Sequence, residues 1–218
     1  MTERRGFFLN FEGLDGCGKT TQARLAAGRL RKAGYEVLES VEPGGTPIGQ
    51  QVRRILLDAA NTELAPRAEL LLYFACRAQN VEQWIRPALE RGVIVITDRF
   101  TDSTMAYQGY GRGLGREVVL ALDRIACQGV APDLTILVDI DLETSLERAR
   151  ARNLAQGGNR ETRMDEQTVE FYRRVRAGYQ EMVRLEPHRF VVVDGRGGIE
   201  TVANAVWQAI EGRLPAHV

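Results

Sequence analysis

Histidine and cysteine are both scarce in this chain of 218 residues, with two of the first and three of the second. Cys17, Cys76 and Cys127 are widely spaced and form no CxxC or Cys/His pattern, which argues against a zinc framework or a disulfide scaffold. No Ser/His/Asp or Cys/His arrangement for covalent catalysis is visible either. Net charge is also missing: 29 Lys and Arg offset 29 Asp and Glu, so neither nucleic acid nor a membrane surface is an expected partner. No apolar run is long enough to span a bilayer and no signal-peptide core follows Met1, so a cytoplasmic location is expected. Repeats and low-complexity tracts are lacking. The length suits one domain over 1–218 with a substantial core.

What is present begins with Gly13-Leu14-Asp15-Gly16-Cys17-Gly18-Lys19-Thr20, placed between an apolar run and a helical pattern. A polyphosphate has to be approached by several backbone N–H groups, and side chains would obstruct them, so glycine recurs at Gly13, Gly16 and Gly18. The helix that follows points the positive end of its dipole at the same anion. Lys19 can reach the outer phosphates, and Thr20 offers a hydroxyl to Mg²⁺. All the fixed positions of a phosphate loop are matched, in a strand-loop-helix context.

Five β-branched or aromatic runs alternate with helical patterns: Phe7–Phe11, Val37–Val41, Val93–Thr97, Leu134–Val138 and Phe190–Val193. Several are continuously apolar, as strands covered on both faces are, which predicts an α/β fold with a five-stranded parallel sheet and helices on both faces. Helices are expected at about Lys19–Lys32, Pro47–Ala59, Ala65–Glu90, Arg116–Cys127, Leu142–Arg152, Gln167–Leu185 and Ile199–Glu211, with Gly34 and Gly92 as C-caps. The polar insert at 153–162 carries Gly157-Gly158 and lies among Arg148, Arg150, Arg152, Arg160 and Arg163. That composition predicts a short arginine-rich lid at about 148–165, supplying positive charge over a migrating phosphoryl group, with Arg160 and Arg163 as the better candidates; a solvated helix face is the competing reading for Arg148, Arg150 and Arg152.

Ligands of open parallel sheets bind at the carboxyl ends of the strands. The second strand is followed by Glu42-Pro43-Gly44-Gly45-Thr46, the third by Asp98-Arg99-Phe100, and the fifth by Asp194-Gly195-Arg196. Asp98 is a candidate for Mg²⁺ or its water shell, and Arg99 for a bidentate grip on phosphate; an internal ion pair is the competing reading. Ser103, Thr104, Tyr107 and Gln108 could read a base or sugar edge, or form only a helix cap and loop. Phe74 and Arg77 stand three apart on one helix face, where a ring could stack on a base and a guanidinium bond to it; a core aromatic beside a surface arginine is the alternative.

Phe11-Glu12-Gly13-Leu14-Asp15-Gly16-Cys17-Gly18-Lys19-Thr20-Thr21, Glu42-Pro43-Gly44-Gly45-Thr46, Asp98-Arg99-Phe100 with Ser103, Ala106-Tyr107-Gln108-Gly109, and Pro132-Asp133-Leu134 together resemble bacterial thymidylate kinases. The likeness runs in order from about Phe7 to Trp207. It implies the P-loop NTPase fold and transfer of the γ-phosphate of ATP to dTMP, giving dTDP and ADP in dTTP synthesis, with Mg²⁺ as cofactor. By the same resemblance, Gly13 through Thr21 and Arg196 would bind ATP, and Thr20 and Asp98, with Asp15 as a further candidate, would lie at the metal. Phe74 would stack on thymine, Arg77 would contact its edge and Gln108 would help hold it. Arg99 and Arg53 would hold the acceptor phosphate, Asp15 would reach the sugar 3′-hydroxyl or the metal region, and Tyr107 would crowd the 2′ position. Glu42 and Ser103 complete the implied acceptor site. Lys19, Arg99, Asp15, Arg163 and Arg160 are the implied catalytic groups, Arg163 matching the lid position best. Val41 and Gln50 stand where the family often has arginine and glutamate, and the lid signature is shortened to Thr162-Arg163-Met164-Asp165. The apolar excess of the helix at 65–90, with Leu70, Leu71, Leu72, Tyr73 and Trp84, is consistent with a helix-packed homodimer, which the resemblance favours. A kinase of another nucleotide or deoxynucleoside, and a catalytically dead nucleotide binder, are the competing readings. A regulatory GTPase is disfavoured by the lack of an Asn-Lys-x-Asp motif.

Overall fold

The computed structural model describes residues 6–155, 162–164 and 167–214. Among them the chain alternates strand and helix. Strand β1 (Phe8–Glu12) leads to helix α1 (Lys19–Lys32), β2 (Val37–Val41), α2 (Pro47–Leu57) and α3 (Pro66–Asn80). A π-helical turn, Val81–Ile85, joins α3 to α4 (Arg86–Glu90). Then come β3 (Ile94–Asp98), α5 (Thr101–Thr104) continued by a π-helical turn over Met105–Gly111, α6 (Arg116–Cys127), β4 (Leu134–Asp139), α7 (Leu142–Ala155), α8 (Val169–Leu185), β5 (Phe190–Asp194) and α9 (Ile199–Glu211). The expected bounds of α1, α6 and α9 are reproduced. The long helix expected at 65–90 is one continuous rod with a π-helical turn inside it, and residues 101–111, where the sequence also allows only a helix cap and a glycine loop, are helical throughout.

Local chemistry accounts for the starts and stops. Thr46 caps α2 by accepting the Gly49 N–H at 2.9 Å, with Pro47 at the first helical position, where its missing N–H costs nothing. Gly34 and Gly92 take the left-handed conformation just past α1 and α4, as C-caps do.

The five strands are all parallel, in the order β2-β3-β1-β4-β5. The chain leaves β1, builds the β2-β3 side, then crosses to build β4 and β5, so the end of β1 is the topological switch point where a crevice opens. The register aligns the rims: Phe11 pairs with Asp98, and Val41 with the same Asp98. The residues that follow, Glu12, Arg99 and Glu42, therefore reach the crevice at one level.

Each face of the sheet carries its own core. Leu9, Phe11, Ile96 and Ile136 pack with α1 and α9, whereas Phe8, Val95 and Phe100 pack with residues of α3, α6 and α8. The sheet alternation gives the second face two polar residues of β1, Asn10 and Glu12, both with no exposed surface. Burying a side chain such as Phe11 contributes about 1.5–3 kcal/mol, while a buried carboxylate must be satisfied by partners. Those partners shape the site.

Candidate active site

The turn after β1 is set by backbone geometry. Gly18 has φ 95° and no heavy atom within 4 Å of where a Cβ would stand, so its open side is free for a ligand at the head of α1. Gly16, at φ +80°, is pressed from behind: an added Cβ would lie 2.5 Å from the Ser145 carbonyl oxygen in α7. The Ser145 hydroxyl also donates to the Asp15 carbonyl at 2.6 Å, which ties the loop to α7. Lys19 is almost buried, its ammonium 3.7 Å from the Asp15 carboxylate and 3.4 Å from the Leu14 carbonyl. It waits inside the loop as a phosphate-binding lysine does.

Across from the loop stands Arg99, a non-glycine residue at φ 74°. This strained backbone is held by its N–H, which donates to the Phe11 carbonyl at 2.9 Å, and by four side-chain contacts. Nη1 donates to Ser103 Oγ at 2.8 Å and Tyr179 Oη at 3.3 Å; Nη2 donates to Asp15 at 2.8 Å and Tyr107 Oη at 3.2 Å. Both hydroxyls below it bond to Glu12 Oε2, from Ser103 at 2.5 Å and from Tyr179 at 2.7 Å. Glu12 also accepts the Phe100 and Ser103 backbone N–H groups. Burial, followed by the charge of Asp102, pushes the Glu12 carboxyl above its usual range. Burial acts the same way on Asp15, but Arg99, Lys19 and the Tyr107 hydroxyl outweigh it and hold its carboxyl well below the ordinary value.

These groups border a cavity of about 470 Å³. It gathers Asp15, Lys19, Thr20, Glu42, Arg53, Arg77, Asp98, Arg99, Ser103, Tyr107 and Gln108, all singled out from sequence. At its far end Arg77 is buried, with Nε donating to Glu42 at 2.6 Å and Nη2 to Thr104 at 2.9 Å, while Nη1 has no hydrogen-bond partner among the described residues. Arg53 Nη1 donates to the Pro43 carbonyl at 2.8 Å. The ring in the lining from α3 is Tyr73; Phe74 lies in the core against the Arg77 guanidinium, 4.9 Å from ring centroid to Cζ. Tyr107 carries Arg99 over its ring at 4.9 Å and gives its hydroxyl to Asp15 at 2.8 Å.

Thr20 donates its hydroxyl to the Asp98 carboxylate at the cavity edge. Two hard oxygen donors beside a phosphate loop suit Mg²⁺, which takes few protein ligands and fills its shell with water and phosphate oxygens. Gly13, Leu14, Gly16, Cys17 and Gly18 belong to the loop, and Thr21 to the first turn of α1, rather than to the cavity lining. Arg196, expected at ATP, is exposed and paired with Asp194 at 2.7 Å. Arg160 lies outside the described residues.

Arg163 is placed differently from a charge on an open lid. It is buried, with Nη1 2.7 Å from the Glu69 carboxylate and its backbone N–H donating to the Leu57 carbonyl. Sequence reading saw the arginine but not the acid that claims it, which lies far away in the chain. Arg152 and Asn153, at the end of α7, do line the cavity. Arg24, Leu57 and Met164 are lining residues that sequence reading missed; Arg24 lies five residues beyond Lys19 in α1, and only the three-dimensional turn of that helix reveals it.

A glycine loop at the switch point of a parallel sheet, facing an arginine-rich second half of the same cavity, defines a P-loop phosphotransferase that works between two anionic substrates. The thymidylate kinase family profile matches residues 11–206. Thymidylate kinases from Pelobacter propionicus and Trichlorobacter lovleyi are 50% and 49% identical, over 96% and 97% of this chain and 96% and 100% of theirs. The crystal structure of thymidylate kinase from Ehrlichia chaffeensis superposes with a TM-score of 0.76 at 33% identity, covering 95% of this chain and 99% of that one. The chain belongs to the thymidylate kinase family, enzymes that phosphorylate dTMP in dTTP synthesis.

Proposed function

We propose that ATP binds with its phosphates in the Gly13–Thr21 loop, that dTMP fills the half of the cavity between Arg99 and Arg77, and that an acceptor phosphate oxygen displaces ADP from the γ-phosphorus in line. The observation that carries this reading is the Arg99 guanidinium, fixed 2.8 Å from Asp15 of the phosphate loop and so held between the two halves of the cavity. Both substrates are anions, so the catalytic work is alignment and screening of repulsion. Lys19 supplies charge at the donor phosphates, and Arg99 and Arg53 supply it at the acceptor phosphate. Thr20 and Asp98 would hold Mg²⁺, which would supply further positive charge at the transferring phosphates. Asp15, ionised and bonded to Tyr107, sets the position of Arg99 and faces the sugar. Arg77, with Nη1 unpartnered among the described residues beside the cavity, meets the edge of the base, with Tyr73 in the cavity wall and Phe74 against the guanidinium. Arg152 and Arg160 complete the charge at the phosphoryl group from the lid, and Arg196 borders the nucleotide of ATP.

A homodimer through the outer face of α3 is part of the proposal. Ala68, Leu71 and Ala75 form an exposed stripe on α3, and α6, which packs beside it, exposes Val118 and Ile125. Light scattering of Leu71→Glu against the unsubstituted protein tests this, a dimeric Leu71→Glu counting against it. A cytoplasmic location follows from the same reading; among the described residues no helix is long and apolar enough to cross a membrane.

The activity is tested by coupled ADP release with ATP, Mg²⁺ and dTMP, dUMP, dCMP, dGMP, dAMP or UMP. Strong preference for dTMP over UMP is expected. Equal turnover of dTMP and UMP would remove the role given to Tyr107, and equal turnover of dTMP and dCMP the role given to Arg77.

A further inference from the structure

Glu69, in the first turn of α3, has no exposed surface and yet collects four donors. Gln108 Nε2 donates to its Oε1 at 2.8 Å; Arg112 donates to Oε1 at 3.2 Å and to Oε2 at 3.1 Å; Arg163 Nη1 lies 2.7 Å from Oε2. Arg112 is itself braced, by Gln167 at 2.7 Å and by the Phe171 ring at 5.0 Å from its centroid. The cluster joins three parts of the chain: α3, the π-helical turn that carries Gln108, and the segment at 162–164. Gln108 and Met164 from two of these parts line the cavity.

We propose that Glu69 is a positioning residue that decides which end of the Gln108 amide faces the acceptor base, and thereby separates thymine from cytosine. The proposal rests on reading the cavity as the dTMP site. A carboxylate only accepts hydrogen bonds, so the amide nitrogen of Gln108 must turn toward it. The carbonyl oxygen of Gln108 accepts from no described residue, and Gln108 borders the cavity, so that oxygen is the group left for a ligand. An acceptor at this point suits the ring N3–H of thymine and opposes the N3 lone pair of cytosine. Glu69 keeps the charged form that this logic needs. Burial pushes its carboxyl up, but hydrogen bonds from Arg112 and Gln108 and the charges of Arg112 and Arg163 bring it below the usual range. A glutamine at 69 has no such preference: it offers both a donor and an acceptor, and Gln108 becomes free to flip.

The test measures kcat and KM for dTMP and dCMP, and KM for ATP, in the unsubstituted enzyme, Glu69→Gln, Glu69→Asp, Gln108→Leu and the double variant Glu69→Gln/Gln108→Leu. Glu69→Gln is expected to lower the dTMP-to-dCMP ratio of kcat/KM about tenfold, mainly through KM for dTMP, with KM for ATP within about twofold. Glu69→Asp keeps the charge for both arginines but not the reach to Gln108, and is expected to lower the same ratio. If Glu69 acts through Gln108, the double variant loses no more discrimination than Gln108→Leu alone. An unchanged ratio in folded Glu69 variants, or losses that add in the double variant, overturns the proposal. So does an unchanged ratio in Gln108→Leu, a result that does not depend on how well the Glu69 variants fold. Failure of the unsubstituted protein to phosphorylate dTMP would overturn the parent reading instead, and is seen before any variant is made.

Discussion

Removing Arg99 separates catalysis from folding, because this one residue is both the proposed phosphate clamp and a point of backbone strain. Its guanidinium is held by four oxygen groups, two at 2.8 Å, and the side chain is 14% exposed. Loss of a preorganised cation at a migrating phosphoryl group costs about 3–4 kcal/mol in the transition state, or roughly 10²–10³ in kcat. The folding cost is smaller. Asp15 keeps Lys19 at 3.7 Å and the Tyr107 hydroxyl at 2.8 Å, so its carboxylate is not orphaned, and about 1–3 kcal/mol is expected. At φ 74°, alanine retains the strain and glycine releases it, so Arg99→Gly is expected to be about 1 kcal/mol more stable than Arg99→Ala. For a chain of this size that difference is about 2–4 °C in Tm. Coupled ADP release and calorimetry on both variants give the two readouts. A folded Arg99→Ala enzyme with kcat within tenfold of the unsubstituted protein would refute the clamp, and equal melting temperatures for the two variants would refute the strain.

Three further outcomes follow from other contacts. Gly16→Ala places a methyl 2.5 Å from the Ser145 carbonyl at φ +80°, and should lower both Tm and ATP affinity, read by calorimetry with and without nucleotide. The folded pKa of Asp15 lies below its ordinary 3.8, so its stabilisation is complete above that value and is lost as pH falls through the folded one. Urea melts from pH 7 to 2 should show the unsubstituted protein's advantage over Asp15→Asn shrinking only below about pH 3.8; an advantage that grows in acid contradicts the assignment. Thr20→Ala should raise the Mg²⁺ concentration for half-maximal rate about tenfold with little change in Tm, and an unchanged Mg²⁺ titration would remove Thr20 from the metal.

Much of this architecture is written locally. Continuous apolar runs, and glycines at 13, 16, 18 and 34, mark strands, phosphate loop and cap because each residue type answers to its own backbone. The helix over 101–111 was hidden by Gly109 and Gly111, which read as loop punctuation; there the glycines serve packing, since a Cβ on Gly111 would meet the Phe171 ring at 2.7 Å. The choice between Tyr73 and Phe74 at the cavity wall depends on the rotation of α3, which spacing alone leaves open. Glu69 offered a faint signal, as the acid at the head of the apolar run Leu70 to Phe74. Its partners Gln108, Arg112 and Arg163 come from distant parts of the chain, and a single sequence carries no record of such meetings.

Glu12 is the last residue of β1, and the phosphate loop is the next thing the chain makes. Through Ser103 and Tyr179 the same Glu12 carries Arg99. The proposed donor loop and the proposed acceptor arginine are thus both referred to the end of β1, at the centre of the sheet. The two side chains in between belong to helices, Ser103 to α5 and Tyr179 to α8, so the packing of α5 and α8 against β1 enters that spacing directly. The distance between the two proposed phosphate-binding elements is thus ruled off on β1 and transmitted through α5 and α8, so a substitution that loosens either helix is expected to blur it without touching the glycine loop.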